Sequence, residues 1–136
     1  MGFNCAGEKK LRDQPGGTAM MTIGRLSASV LDTGVDYENL GRWSWILVGG
    51  PRKRTRYVVL YQPCSSYNSA GNSVFAQHED YFERRGVAIS PRTILFDQLI
   101  SQLLLWKANN EEIVLMGDFN EHFTGGGLPS GLLSRT

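Results

Sequence analysis

A chain of 136 residues, 41% hydrophobic and 20% charged, has room for one packed core and falls outside the disordered, collagen-like and disulfide-rich classes. Fourteen Lys plus Arg against thirteen Asp plus Glu leave a net charge of +1, so any attraction to nucleic acid or an anionic membrane has to be local. Two cysteines, Cys5 and Cys64, stand in no CxxC or Cys-His spacing, which argues against a zinc site and a disulfide framework and for a reducing, intracellular setting, cytoplasmic or nuclear.

Residues 1–15 carry Glu8, Lys9, Lys10, Arg12 and Asp13 without an apolar stretch of signal-peptide length, and they read as an irregular, unsecreted N-terminal segment. Nowhere does an apolar run approach the ~18 residues of a membrane helix. Gly16-Gly17 opens Thr18-Ala19-Met20-Met21-Thr22-Ile23, closed by Gly24, which predicts a mostly buried strand. Residues 26–41 have no period, and Asp32, Thr33, Gly34, Asp36 and Asn39 predict an irregular loop after a strand fragment around residues 28–31. Trp43-Ser44-Trp45-Ile46-Leu47-Val48 and Tyr57-Val58-Val59-Leu60-Tyr61 predict neighbouring antiparallel strands turned by Gly49-Gly50-Pro51, with Arg52, Lys53, Arg54 and Arg56 at the hairpin tip.

Beyond Pro63 the apolar period changes from 2 to 3.6. Asn72 or Ser73 caps a helix with Val74, Phe75, His78, Tyr81 and Phe82 on one face, ended by Gly86. Ser90-Pro91 is an N-cap and N1 pair for a second helix, along which Leu95, Leu99, Leu103 and Trp106 recur until Asn109-Asn110. Ile113-Val114-Leu115-Met116, between Glu111-Glu112 and Gly117-Asp118, reads as a central strand buried on both faces. Residues 124–136 have no period and form a flexible, Gly-rich tail. Strands, two helices and a final buried strand predict an α/β fold in which helices pack on mixed sheets.

Sites in α/β sheets lie beyond the carboxyl ends of strands, here Gly117-Asp118-Phe119-Asn120-Glu121-His122. In an extended segment Asp118 and Asn120 project the same way, offering a carboxylate and an amide to one centre, while Phe119 points to the core and Glu121 away. Such oxygens suit Mg²⁺ or Mn²⁺ and phosphate. Gly, Asp and Asn are also what turns prefer, so a plain strand-ending turn stands beside the metal reading.

Gly117-Asp118-Phe119-Asn120 after the Ile-Val-Leu-Met strand resembles the endonuclease/exonuclease/phosphatase family of metal-dependent phosphodiesterases. Val58-Val59-Leu60-Tyr61-Gln62-Pro63 is similar to that family's strand ending in Tyr-x-Pro, and Gly16-Gly17-Thr18-Ala19-Met20 to its Gly-Gly-aliphatic strand. Tyr81-Phe82, Ser90-Pro91-Arg92 and Asp97-Gln98-Leu99 look most like the endonuclease-like domains of retroelement-type reading frames. The resemblance spans residues 15–122 and implies an incomplete α/β sandwich of that type over residues 16–123. It implies Asp118 as the acid that orients or deprotonates the nucleophile, Asn120 as the amide at the scissile phosphate and the Mg²⁺ or Mn²⁺ ion, and Tyr61 as a hydroxyl on that phosphate.

The family's strand-borne Asn and metal-ligand Glu have no match in the first 15 residues, where Asn4 and Glu8 stand only four apart, and no Ser-Asp-His follows Asn120; His122 is too close to it. The chain reads as an internal piece of the fold, weakly active or inactive alone, with exposed sheet edges that favour self-association. Two functions stay open: a nucleic-acid phosphodiesterase or its relic, and a non-catalytic α/β interaction module. The basic tip either tracks a nucleic-acid backbone or is a solvated loop. His78 reads as a packed histidine and Trp43, Trp45 and Trp106 as core anchors. Cys64 stands near the cleft without a neighbouring base.

Overall fold

The structure is a computed structural model that describes residues 17–64 and 73–121, together with the backbone of residues 2–4. In chain order the elements are β1 (Gly2–Asn4), β2 (Ala19–Met21), a 3-10 helix (Gly24–Ser29), β3 (Val30–Val35), β4 (Trp43–Gly49), β5 (Arg54–Tyr61), α1 (Val74–Glu83), α2 (Pro91–Ala108) and β6 (Glu112–Asp118). The class is mixed α/β, with a four-stranded sheet in the order β3-β4-β5-β6 and a two-stranded antiparallel pair, β1-β2.

Aromatic and β-branched residues form the β4–β5 hairpin as expected, in the register Trp43↔Leu60, Trp45↔Val58 and Leu47↔Arg56. β6 runs parallel to β5, and parallel neighbours require a long crossover, which α1 and α2 supply. Ser73 caps α1 by accepting a hydrogen bond from the Ala76 amide at 3.1 Å, and Pro91 opens α2 at its first position. Alternation along β5 sends Arg56, Val58 and Leu60 to one face. There Leu95, Phe96, Leu99 and Trp106 of α2 meet Trp43, Val58 and Leu60 in the core, with Ile113, Leu115 and Phe119 packed around them. Each such side chain, fully buried, contributes roughly 2 kcal/mol, so α2 is held by tertiary packing more than by its own propensity.

Two buried ion pairs brace this layer. Arg42 meets Asp36 at 2.9 Å, neither side chain exposed, and also donates to Gln98 on α2 at 2.7 Å. Arg56 meets Glu111 at 2.6 Å, its guanidinium 4.0 Å from the Trp45 ring centroid and 4.4 Å from that of Trp106. Arg56 is therefore no part of the hairpin tip. Lys53 of that tip pairs with Glu112 at 3.0 Å on the surface, which leaves Arg52 and Arg54 as the free cations there among the described residues.

Five further expectations are corrected. The strand expected to be mostly buried over residues 18–23 is the short β2, Ala19–Met21, with Met21 and Ile23 each 76% exposed. A strand, β1, lies inside the segment read as irregular; three residues are too few to show a period. β3 starts later than the fragment expected around residues 28–31 and runs through Asp32, Thr33 and Gly34, which were expected in a loop, because the 3-10 helix takes Gly24–Ser29 and a register shift between Val30 and Asp32 breaks the alternation. β6 is an edge strand among those described, with Val114 39% and Met116 41% exposed, and is not a central strand buried on both faces. A continuous apolar run does not say whether a strand has one neighbour or two. Nor is the segment after β6 extended, since Asn120 has φ 42°. The expected roles of Cys5, His122 and residues 124–136 lie outside the described residues. No described helix is long and apolar enough to cross a membrane.

Candidate functional site at the ends of β5 and β6

The parallel register sets Tyr61 directly beside Asp118 at the carboxyl ends of the two strands. Gly117 makes this approach geometrically feasible. At its φ of +140°, a Cβ would stand 1.9 Å from the Leu60 carbonyl oxygen, so only glycine lets β6 run this close to β5.

Past Asp118 the chain turns at once. Asp118 Oδ1 accepts from the Asn120 amide at 3.0 Å, a side-chain-closed turn that Asp forms readily and that Asn tolerates in the left-handed region. The Asn120 side chain reaches across to the strap after β5: Nδ2 donates to the Gln62 carbonyl at 2.6 Å, and Oδ1 accepts from Cys64 Sγ at 2.8 Å. Gln62 returns a backbone hydrogen bond to the Asp118 carbonyl at 2.9 Å. Asp118 and Asn120 thus do not project side by side. Asp118 is exposed with a second carboxylate oxygen outside the turn, whereas the amide of Asn120 is engaged at both its atoms.

Tyr61 is half-buried, and that burial, followed by the nearby Cys64 and Asp118, raises its hydroxyl above the ordinary pKa of 10.0. At neutral pH it therefore stays a proton donor beside a carboxylate. A donor and an acceptor at one strand end can together grip a phosphate oxygen and take a proton from an attacking water.

The three residues assigned from the sequence are therefore brought together. Of the three, the Asp118 carboxylate is the open oxygen donor, since the Asn120 oxygen already accepts from a thiol; Mg²⁺ is commonly held by one or two such carboxylates together with substrate phosphates and waters. Among the described residues no group of three or more His, Cys, Asp and Glu is placed to hold a metal.

Four residues outside that set complete the neighbourhood: Gln62, Cys64, Arg92 and Glu121. Gln62 is fully buried. In the amide orientation that satisfies both its ends, its oxygen accepts from Arg92 Nε at 2.6 Å and Nη2 at 2.5 Å, and its nitrogen donates to the Phe119 carbonyl at 2.7 Å. Arg92 also pairs with Glu121. The sequence signalled this only as Ser90-Pro91-Arg92, since nothing in residue spacing foretells that α2 starts against the strand ends. The basic tip lies at the opposite end of β5, roughly 23 Å away at ~3.3 Å per residue, so it is not part of this site.

Compared with models of protein families, with curated proteins and with solved structures, the chain gives no match.

Proposed function

We propose that the strand ends carrying Tyr61, Asp118 and Asn120 are the phosphate-facing site of a phosphodiesterase of the endonuclease/exonuclease/phosphatase type acting on nucleic acid. On this reading the described residues form an incomplete copy of that fold's sandwich and are weakly active or inactive by themselves. One observation carries it: a protonated tyrosine and an open aspartate stand level in neighbouring parallel strands, where α/β sheets place their chemistry. Tyr61 would donate to a non-bridging phosphate oxygen and Asp118 would orient the attacking water; Asn120 ties the two strand ends together. The ligands of the family's Mg²⁺ or Mn²⁺ would have to come largely from outside the described residues.

The test is nicking of supercoiled plasmid with Mg²⁺ or Mn²⁺ by the wild type and by Asp118→Ala, with circular dichroism on both. Slow metal-dependent nicking that Asp118→Ala abolishes is the expected outcome for an active site. Nicking that survives Asp118→Ala, or none from a folded protein even with substrate in excess, removes present catalysis from the reading.

A second reading, a non-catalytic module that self-associates, is favoured by the edge position of β6 and its exposed Val114 and Met116. Sedimentation velocity of the wild type against Met116→Lys checks it: a dimer that the lysine dissociates supports the module, and a wild-type monomer at all concentrations rules it out.

A further inference from the structure

We propose that Arg92 is the positioning residue of this site, acting through Gln62 and Glu121 to hold Asn120 and the Asp118 turn against the end of β5. Its functional meaning rests on the reading of Tyr61, Asp118 and Asn120 as phosphate-facing groups, but the clamp itself is a matter of contacts. Arg92 follows the buried Pro91 in the first turn of α2, so its backbone is anchored to the core. Its guanidinium spends its donors on the two strand ends: the Gln62 amide oxygen, the Glu121 carboxylate, and at longer range the carbonyls of Pro63 (3.5 Å) and Asn120 (3.4 Å). Arg92 and Glu121 are only 17% and 25% exposed, so solvent screens the pair poorly.

Gln62 passes the constraint on. Its side-chain nitrogen holds the Phe119 carbonyl, its backbone nitrogen the Asp118 carbonyl, and its carbonyl the Asn120 amide. One glutamine thus touches three successive residues of the turn, and its own side chain is fixed by Arg92. Loss of the guanidinium leaves a fully buried amide oxygen without a donor and the Glu121 carboxylate without a cation. Lysine cannot replace it, because a single ammonium does not match the planar fork that reaches Gln62 and Glu121 together.

The experiment uses the full chain with Cys5→Ser, without nucleic acid or metal. Two quantities are read: the alkylation rate of Cys64, whose thiol donates to Asn120, and the ¹H–¹⁵N signals of the Asn120 side-chain amide. Arg92→Met should raise the alkylation rate of this exposed thiol about threefold, the scale of one weak hydrogen bond to Asn120 being lost, and move the Asn120 amide signals toward random-coil positions. Arg92→Lys should fall between. Asn120→Ala is the control in which the thiol has lost its acceptor. Should Arg92→Met fail to fold, Glu121→Gln, at a partly exposed site, reads the same clamp. Wild-type alkylation and unshifted Asn120 signals in the folded Arg92 or Glu121 variant overturn the proposal. Because neither readout involves phosphodiester cleavage, a failed nicking assay sinks the functional reading and leaves the clamp standing, and the reverse holds too.

Discussion

Replacing Glu111 by Gln is expected to destabilise the fold by about 3 kcal/mol, because it leaves the Arg56 charge buried without its counter-ion. The pair is bidentate, with Arg56 Nε 2.6 Å and Nη2 3.0 Å from the carboxylate, and the two side chains are 5% and 4% exposed. Trp45 and Trp106 flank the guanidinium, their ring centroids 5.5 Å apart, and exclude the water that would otherwise solvate an orphaned cation. Their cation–π attraction, on the order of 2 kcal/mol when desolvated, survives in Glu111→Gln but is lost in Arg56→Met. Arg56→Met also strands a buried carboxylate, so its cost should be larger, about 5 kcal/mol. The double variant Arg56→Met/Glu111→Gln leaves no buried charge and should lose less than the two single losses added. Urea melts followed by tryptophan fluorescence close the double-mutant cycle, with an expected coupling of about 3 kcal/mol. At roughly 3 °C per kcal/mol for a domain of this size, Glu111→Gln should melt about 10 °C lower. A Glu111→Gln loss under 1 kcal/mol with additive singles would show that the pair is solvated and refute the reasoning.

Gly117→Ala should cost about 3 kcal/mol or more, since its Cβ would stand 1.9 Å from a backbone oxygen and its φ is +140°; a thermal melt unchanged from wild type would refute it. Ser73→Ala should cost about 1 kcal/mol through the lost cap of α1, read as the shift in urea midpoint. His78 is held neutral in the fold, its pKa lowered from 6.5 to about 4 by burial and then by Arg42, with Asp36 and the Leu40 carbonyl pulling the other way. Between those values the unfolded chain binds more protons, so this contribution is complete above pH 6.5 and is lost as pH falls toward about 4; at about 1.4 kcal/mol per pH unit it amounts to roughly 3 kcal/mol. Stability measured across that range should fall less steeply in His78→Leu.

The elements whose residues carry their own reasons were legible in the sequence. Ser73 and Ser90-Pro91 mark where α1 and α2 begin, and Trp43 to Val48 and Tyr57 to Tyr61 could form little but paired strands. What failed depends on neighbours. Arg56 reads as one more charge in a basic run until Glu111 arrives from 55 residues away. Ile113 to Met116 is apolar enough for a sheet centre yet has a described partner on one side only. At the candidate site, the strand ends that the sequence marks for Asp118 and Tyr61 do lie side by side. The side chain of Asn120 was misdirected, because a two-residue alternation assumes an extended chain and the Asx turn ends it. Gln62 and Arg92 carry no signal in residue spacing, since their contacts exist only where three chain segments meet.

Under the proposed reading, an incomplete site and a sheet face left uncovered by the described residues are two aspects of one geometry. Tyr57, Val59 and Tyr61 alternate to the sheet face opposite α2, and the parallel register sets Val114, Met116 and Asp118 beside them. β2 and the 3-10 helix pack against β4 on the other side of β5, so Val114 and Met116 stay exposed. Apolar side chains and an open carboxylate share one half-covered surface, and the sandwich implied by the resemblance would bring a second sheet against such a face. Under the proposed reading, an element seated there would bury Val114 and Met116 and could carry further acidic ligands toward Asp118 at the same time. Covering the face and completing the site are then a single event, which is why catalysis by the described residues alone is expected to be weak or nil even with Asp118, Tyr61 and Asn120 in place.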